Sequence, residues 1–164
     1  MIPTNGRILG VDWGEVRIGL ALSDETQTLA SPLETLHRRK GKRFPLRPFL
    51  ELTAEHRPVG LVVGLPLSGE GHEEVSASAA REMATTLSRQ TGLPLELCDE
   101  RMTTARALAT IQEQGGSTRG RKADVDALAA AVLLQQFLDA RKNRREWAAE
   151  GAERTENFKE KLDR

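Results

Sequence analysis

The chain begins with two short apolar runs, Arg7 to Asp12 and Arg17 to Ser23, which only four residues separate. Each run has the length and the apolar content of a β-strand. A parallel pair of strands needs a crossover of about a dozen residues or more, so this connection favours antiparallel pairing. Gln27 to Leu36 follows after another short connection and can form a third strand. The first part of the chain therefore predicts a three-stranded antiparallel meander.

The following part of the chain alternates between helical and strand patterns. Val59 to Val63 is almost entirely apolar, which is typical of a strand buried on both faces. Between Glu73 and Gln90 apolar residues recur every four positions, as in an amphipathic helix. The pattern also predicts a helix around Pro48 to His56, a strand from Leu93 to Cys98, and helices from Thr103 to Gln114 and from Val125 to Arg141. Together these elements indicate an α/β fold, a mixed sheet with helices on both faces.

Length and composition narrow the class of protein. The 164 residues contain no evident linker, so we expect one domain over residues 1–141 and, over residues 142–164, a charged helical extension or mobile tail. Lys and Arg together number 24, and so do Asp and Glu together. The resulting net charge of zero argues against a uniformly cationic nucleic-acid binder. A single cysteine, Cys98, excludes an internal disulfide and a thiolate metal site. With no signal peptide and no membrane-length apolar run, we expect a cytoplasmic protein without a membrane partner.

Carboxylates stand where predicted elements end or begin. Asp12 closes the first strand, Asp99 and Glu100 follow the strand that ends at Cys98, and Asp126 lies near the start of the last helix. Each has an ordinary structural interpretation: a turn, a solvated strand end, or an acid near a helix N-terminus. If the sheet gathers them, however, they repel one another unless cations bind between them. Oxygen ligands select Mg²⁺ or Mn²⁺, and two such ions can promote phosphodiester hydrolysis.

Four ordered motifs resemble the YqgF/RuvX family, and the resemblance runs from about Arg7 to Leu138. They are Gly10-Val-Asp12-Trp-Gly14 continuing to Asp24, Val62-Val-Gly64-Leu-Pro66-Leu, Asp99-Glu100-Arg101-Met-Thr103-Thr104, and Val125-Asp126 continuing to Gln135. The family is described as Holliday junction resolvases and as nucleases that process the precursor of small-subunit ribosomal RNA. The resemblance implies a ribonuclease H-like fold, three antiparallel strands followed by parallel ones, with Asp12, Glu100 and Asp126 as catalytic, metal-binding acids at a two-metal site.

The motifs depart from the family pattern at a few positions. Met102 stands where the family usually has Leu, and Ser68 to Gly71 replaces a more usual Asn and Asp. Asp124 is an alternative third ligand. It is about 200° from Asp126 on a helix, so the two cannot both face one site, and we expect Asp124 to cap the helix instead.

Basic residues concentrate in two segments. Six lie between Arg38 and Arg47 without any acid, and a second group precedes the last predicted helix. Such segments are usually solvated loops, but they can also follow a phosphate backbone. Arg17 and Arg101 adjoin the acidic motifs and can form either an ion pair or a phosphate contact. The predicted nucleic-acid-binding residues are Arg17, Arg38, Arg39, Lys40, Lys42, Arg43, Arg101, Arg119, Arg121 and Lys122.

The leading interpretation is a hydrolase, a Mg²⁺- or Mn²⁺-dependent nuclease that processes the 5′ end of pre-16S rRNA during ribosome biogenesis. Structured RNA is the first expected partner and branched DNA the second. A Holliday junction resolvase, which acts on branched DNA, would be a symmetric dimer that makes paired cuts. An ATPase of the actin and sugar-kinase type would need two domains of this kind. A non-catalytic ribosome-assembly factor would use the basic residues alone. We expect a monomer or a homodimer.

Overall fold

The computed structural model describes residues 1–14, 16–38, 43–65, 73–99 and 122–162. The strands are β1 (Ile8–Asp12), β2 (Arg17–Ser23), β3 (Ala30–His37), β4 (Gly60–Leu65) and β5 (Leu95–Asp99), and the helices are α1 (Leu46–His56), α2 (Glu73–Thr91) and α3 (Lys122–Leu162). Each agrees with a predicted element to within a few residues, except that α3 runs far past Arg141. The helix predicted from Thr103 to Gln114 lies outside the described residues, as does the loop after it.

The five strands form one mixed sheet in the order β3-β2-β1-β4-β5. The first three pair antiparallel, as the short connections predicted, whereas β4 pairs parallel to β1 and β5 parallel to β4. Parallel neighbours require crossovers, and α1 and α2 lie on these two connections. The carboxyl ends of β1, β4 and β5 therefore meet at one edge of the sheet, where Asp12 is level with Gly64 and Gly64 with Cys98.

Alternation along the strands creates a core on each face of the sheet. Leu9 and Val11 of β1 pack in a cluster that includes Phe49 of α1 and Leu87 of α2. Ile8 belongs to a second cluster, in which the apolar residues of α3 cover the opposite face. The prediction of helices on both faces is thereby confirmed. In β4, Val62 faces the α3 cluster while Leu61 and Val63 face the other, as expected for a strand buried on both sides.

Helix α3 lies unusually close to the strands beneath it. A methyl group at Gly10 would come within 3.0 Å of the Leu134 side chain, and one at Gly19 within 2.0 Å of the Asp126 carbonyl oxygen. Ala129 and Ala130 of α3 are both buried, and their small side chains allow this close approach. Gly19 leaves space for the helix backbone that any other residue would fill, whereas at Gly10 the nearest atom belongs to a side chain.

Polar contacts hold the middle of α3 to the same face of the sheet. The Gln135 side chain accepts a hydrogen bond from Ala30 N at 2.8 Å and donates one to Thr28 O at 2.9 Å. One turn and a half further on, Arg141 donates to the Gln27 side chain and to Ile2 O. Beyond Arg141 the helix leaves the domain, and its described side chains are exposed as far along the chain as Glu156. None of the described helices is long and apolar enough to cross a bilayer.

Candidate active site

Asp12 occupies the carboxyl end of β1 on the face that α3 covers. Its partner across the antiparallel pair is Gly19, and partners in such a pair point to the same side of the sheet. Gly19 lies against the backbone of Asp126 near the start of α3, so Asp12 and this part of the helix share one face. Paired residues have Cα atoms about 4.5–5.5 Å apart, which places the Asp12 backbone next to the point where α3 begins its path over the sheet. Asp12 is partly buried and makes an interaction of its own.

Asp126 enters the same region from near the start of α3. Its carbonyl oxygen lies over Gly19, and its carboxylate Oδ2 accepts a hydrogen bond from Arg17 Nε at 2.5 Å. The Arg17 side chain is 33% exposed and that of Asp126 is 25% exposed, so the ion pair is partly shielded from water. Arg17 begins β2 on the face of Gly19. The structure thus gives Arg17 an ion-pair partner, one of the two roles expected from the sequence.

Asp124 does not cap α3. The helix already includes Lys122, so Asp124 has helical backbone, whereas an N-cap residue has not. The prediction that Asp124 caps the helix is therefore wrong.

The turn between β1 and β2 depends on Gly14. A methyl group on Gly14 would lie 2.1 Å from the carbonyl oxygen of Arg17, so no side chain fits there. This tight contact lets β2 begin only five residues after Asp12 and run back along β1. The glycine therefore fixes the positions of Asp12 and Arg17 relative to each other.

Trp13 connects the end of β1 to the basic segment that follows β3. The guanidinium carbon of Arg38 lies 4.5 Å from the centroid of the Trp13 ring, a cation–π distance. The rings of Trp13 and Phe44 stack with centroids 6.1 Å apart, and Phe44 in turn meets Phe49 edge-on at 5.5 Å. Phe44 is buried, so both described ends of the basic segment converge on the neighbour of Asp12. Sequence reasoning assigned no role to Trp13, although its position between an acid and a glycine was a usable signal.

One acid of the first motif has a structural role. The pKa of Asp24 is held below its usual range, first by the hydroxyl of Thr26 and then by the backbone N–H groups of Thr28 and Leu29. These hydrogen bonds measure 2.7, 2.8 and 3.1 Å and order the turn between β2 and β3. Asp24 is thus a turn residue.

Several predicted site residues lie outside the described part of the chain: Glu100, Arg39, Lys40, Lys42, Arg101, Arg119 and Arg121. Lys122 opens α3, and Arg43 is exposed next to Phe44. Among the residues that are described, no three His, Cys, Asp or Glu side chains are grouped as a metal site requires. Asp12 and Asp126 nevertheless supply only oxygen donors, which fits Mg²⁺ or Mn²⁺ rather than zinc.

Comparison with known proteins places this chain in a family. The family model RuvX, described as Holliday junction resolvase, matches residues 6–140. The chain belongs to the RuvX family. A relative from Anaeromyxobacter sp. (strain Fw109-5) is 44% identical to this RuvX chain over 135 residues, 82% of this chain and 98% of the relative. Another from Rhodopirellula baltica is 44% identical over 147 residues, 89% of this chain and 84% of the relative. Both bear names that propose a pre-16S rRNA nuclease.

Solved structures support the ribonuclease H-like fold of the RuvX chain. RuvC from Thermus thermophilus, in complex with a Holliday junction substrate, superposes with a TM-score of 0.53 at 19% identity. The match covers 84% of this chain and 96% of RuvC. At this identity the likeness concerns the fold, and it agrees with the mixed sheet predicted from the sequence.

Proposed function

We propose that this RuvX chain is a metal-dependent nuclease that processes the 5′ end of pre-16S rRNA, with Asp12, Glu100 and Asp126 as its acids. The observation that carries the proposal is the packing of α3 on Gly19, the register partner of Asp12. It brings two carboxylate residues from distant parts of the chain to the same face of the sheet. The names of the relatives supply the substrate class.

Glu100 is the expected third acid because of its place after β5. Side chains two positions apart along a strand point to the same face. Cys98 packs against the cluster that α3 forms, so the same alternation would bring Glu100 to the α3 face. Cys98 and Asp12 are each level with Gly64, which puts β1 and β5 one strand apart.

The three acids would hold Mg²⁺ or Mn²⁺, with two ions as the expected number. When bound, such ions activate a water molecule and stabilise the leaving oxygen of the phosphodiester. Arg17 keeps the Asp126 carboxylate oriented by a hydrogen bond to one oxygen, and a carboxylate has a second oxygen for a cation. Arg17 also limits the repulsion between neighbouring carboxylates.

The residues on either side of Trp13 would bind the nucleic-acid backbone. Arg38 is held against Trp13, and Arg43 is exposed next to the buried Phe44. Cations at these positions attract phosphates without reading bases, so binding should weaken as salt rises. Lys40 and Lys42, with Arg39, lie between them in the sequence and would add to this attraction.

Cleavage of branched DNA is the second candidate function. It is favoured by the description of the family model, Holliday junction resolvase. A resolvase must cut two strands at one junction, which requires two active sites in a symmetric assembly. An RNA-processing nuclease needs only one. The substrate that the purified protein cuts, and the number of cuts, would therefore separate the two activities.

The test is a cleavage assay with purified full-length protein and Mn²⁺, using an RNA that spans the 5′ end of 16S rRNA and a synthetic four-way junction. Asp12→Asn, Glu100→Gln and Asp126→Asn should each lower the rate about 100-fold or more, as expected when charge stabilisation in the transition state is lost. Glu34→Gln is the matched control. Glu34 is exposed and opposite Leu20 of β2, on the face away from α3, so its loss should leave the rate unchanged.

Two results would overturn the proposal. One is wild-type protein that leaves both substrates intact with Mn²⁺ or Mg²⁺ while binding RNA, which would indicate an assembly factor. The other is an Asp12→Asn variant that cleaves at the wild-type rate. Circular dichroism of each variant would establish that the fold survives the substitution.

A further inference from the structure

The part of α3 beyond Arg141 extends away from the domain. Its described side chains are exposed as far as Glu156, and the match to the RuvX family ends at residue 140. A match of 135 residues covers 98% of the Anaeromyxobacter relative, so that relative is a shorter chain than this one. A segment of this kind needs an explanation other than the fold of the sheet.

Two large aromatic side chains are exposed on this extension. Trp147 is 81% exposed and Phe158 is 65% exposed. They are eleven positions apart, so on an α-helix they point within about 20° of each other and are separated by about 16.5 Å along the axis. Gly151 and Arg154 lie between them on the same side. We call these four residues the aromatic stripe.

The aromatic stripe has open space beside it. No heavy atom lies within 4 Å of the place where a Gly151 side chain would begin. A glycine in an exposed helix costs about 0.5–1 kcal/mol relative to alanine, but it allows another helix to approach closely. The stripe thus combines two aromatic side chains with a gap between them that an opposing side chain can enter.

We propose that the aromatic stripe pairs antiparallel with the same stripe of a second copy of this chain, forming a homodimer. In this arrangement Trp147 of each copy packs against Phe158 of the other. The midpoint of the pair then falls between residues 152 and 153. Arg154 of one copy comes level with Gly151 of the other, where the missing side chain leaves room for the long arginine.

Charge complementarity identifies the second copy as the occupant. Glu150 and Arg154 lie on the same flank of the stripe, about 40° apart around the helix. The two-fold axis of an antiparallel pair brings the same flanks of both helices together. When Trp147 pairs with Phe158, Glu150 of one copy lies beside Arg154 of the other. The two residues are offset along the helix axis by only about 1.5 Å, the rise of a single residue. Both exposed carboxylates gain a cation, whereas a parallel pair would bring the opposite flanks together and lose this match.

The size of the contact predicts a reversible dimer. An aromatic side chain buries roughly 150–250 Å², so four rings remove on the order of 600–1,000 Å² from water. Interfaces below about 1,200 Å² are usually transient. The dimer should therefore dissociate on dilution in the micromolar range, and it should weaken in high salt because its flanking pairs are exposed.

The test uses full-length protein and sedimentation over a range of concentrations. Glu150→Arg places two cations opposite each other in the homodimer and Arg154→Glu places two acids, so each variant should raise the dissociation constant at least tenfold. An equimolar mixture of the two variants restores both opposite-charge pairs. It should recover dimers of wild-type stability, and native mass spectrometry should identify them as heterodimers. Trp147→Ala should abolish the dimer.

Glu153→Arg is the matched control, since Glu153 lies on the same extension but points about 130° away from the stripe. It reverses the same charge and should leave the dissociation constant unchanged. Three results would overturn the proposal: a wild-type chain that stays monomeric at every concentration, a dimer that survives Trp147→Ala, or a variant mixture that does not associate. A wild-type chain that stays monomeric would indicate that the stripe binds a different protein. None of these measurements depends on nuclease activity.

Discussion

Two roles are open to Arg17: it can orient a metal ligand, or it can bind the substrate. Its hydrogen bond to Asp126 spans 2.5 Å, and both side chains are partly exposed. A group that orients a metal ligand typically changes metal affinity or activity 10- to 100-fold when removed. A group that binds phosphate instead changes the affinity for the substrate.

Arg17→Gln should therefore raise the Mn²⁺ concentration needed for half-maximal cleavage about 10- to 100-fold, with activity recovered at high Mn²⁺. Arg17→Lys should recover only part of the affinity because an ammonium does not reproduce the directional guanidinium contact. Lys142→Gln, far along α3, is the control with the same loss of charge. A rise in the RNA KM alone, with Mn²⁺ dependence unchanged, would assign Arg17 to the substrate instead.

Gly19 sets how closely α3 approaches the sheet. Gly19→Ala should destabilise the protein by about 3 kcal/mol or more, because the new methyl group meets helix backbone rather than a movable side chain. Gly10→Ala should cost less, since the nearest atom there, at 3.0 Å, belongs to the Leu134 side chain. Urea unfolding of both variants measures the difference. Equal stability of Gly19→Ala and wild type would contradict the packing of α3 described above.

At the scale of elements, the N-terminal meander was predictable and the packing of α3 was not. Connection length determined how β1, β2 and β3 pair, because a short connection permits few geometries. The nearly continuous apolar run of β4 likewise indicated a strand buried on both faces. Periodicity shows that α3 has an apolar side, but nothing local shows which strand that side meets. The contact of Asp126 with Gly19, which brings Asp126 to the face of the sheet that carries Asp12, could be seen only in the three-dimensional structure.

The end of α3 was also beyond reach of the sequence pattern. After Arg141 the apolar repeat stops, and a pattern based on burial stops with it. The residues that follow are rich in Ala, Glu, Arg and Lys, which favour helix through backbone propensity without any burial. Those propensities do not distinguish a stable extension from a frayed one. The continuity of α3 to Leu162 follows from the structure.

Removal of the extension tests whether the domain depends on it. A chain that ends after Arg145 retains Arg141 and its contacts with Gln27 and Ile2. We expect its free energy of unfolding, measured in dilute solution, to differ from that of the full chain by less than about 1 kcal/mol, because the deleted side chains are exposed. A loss of several kcal/mol would show that the extension packs on the domain.

At the scale of the whole molecule, zero net charge conceals an uneven distribution. Basic residues gather between Arg38 and Arg47, and the described ends of that segment meet at Trp13, next to Asp12. The sequence revealed the excess of charge but not its location, because the contact joins residues that are far apart in the chain. A neutral protein can thus present cations beside its acids without the uniformly positive field of a basic nucleic-acid binder.

Helix α3 also fixes a distance. It carries Asp126 near its start and the aromatic stripe near its other end, without a break. In the proposed antiparallel dimer the two copies of Asp126 would lie on the order of 80 Å apart, at opposite ends of the paired helices. Two sites so far apart would not cut a single crossover together. They would instead make the dimer bivalent, so that a long RNA bound at one site keeps a second segment at high effective concentration near the other.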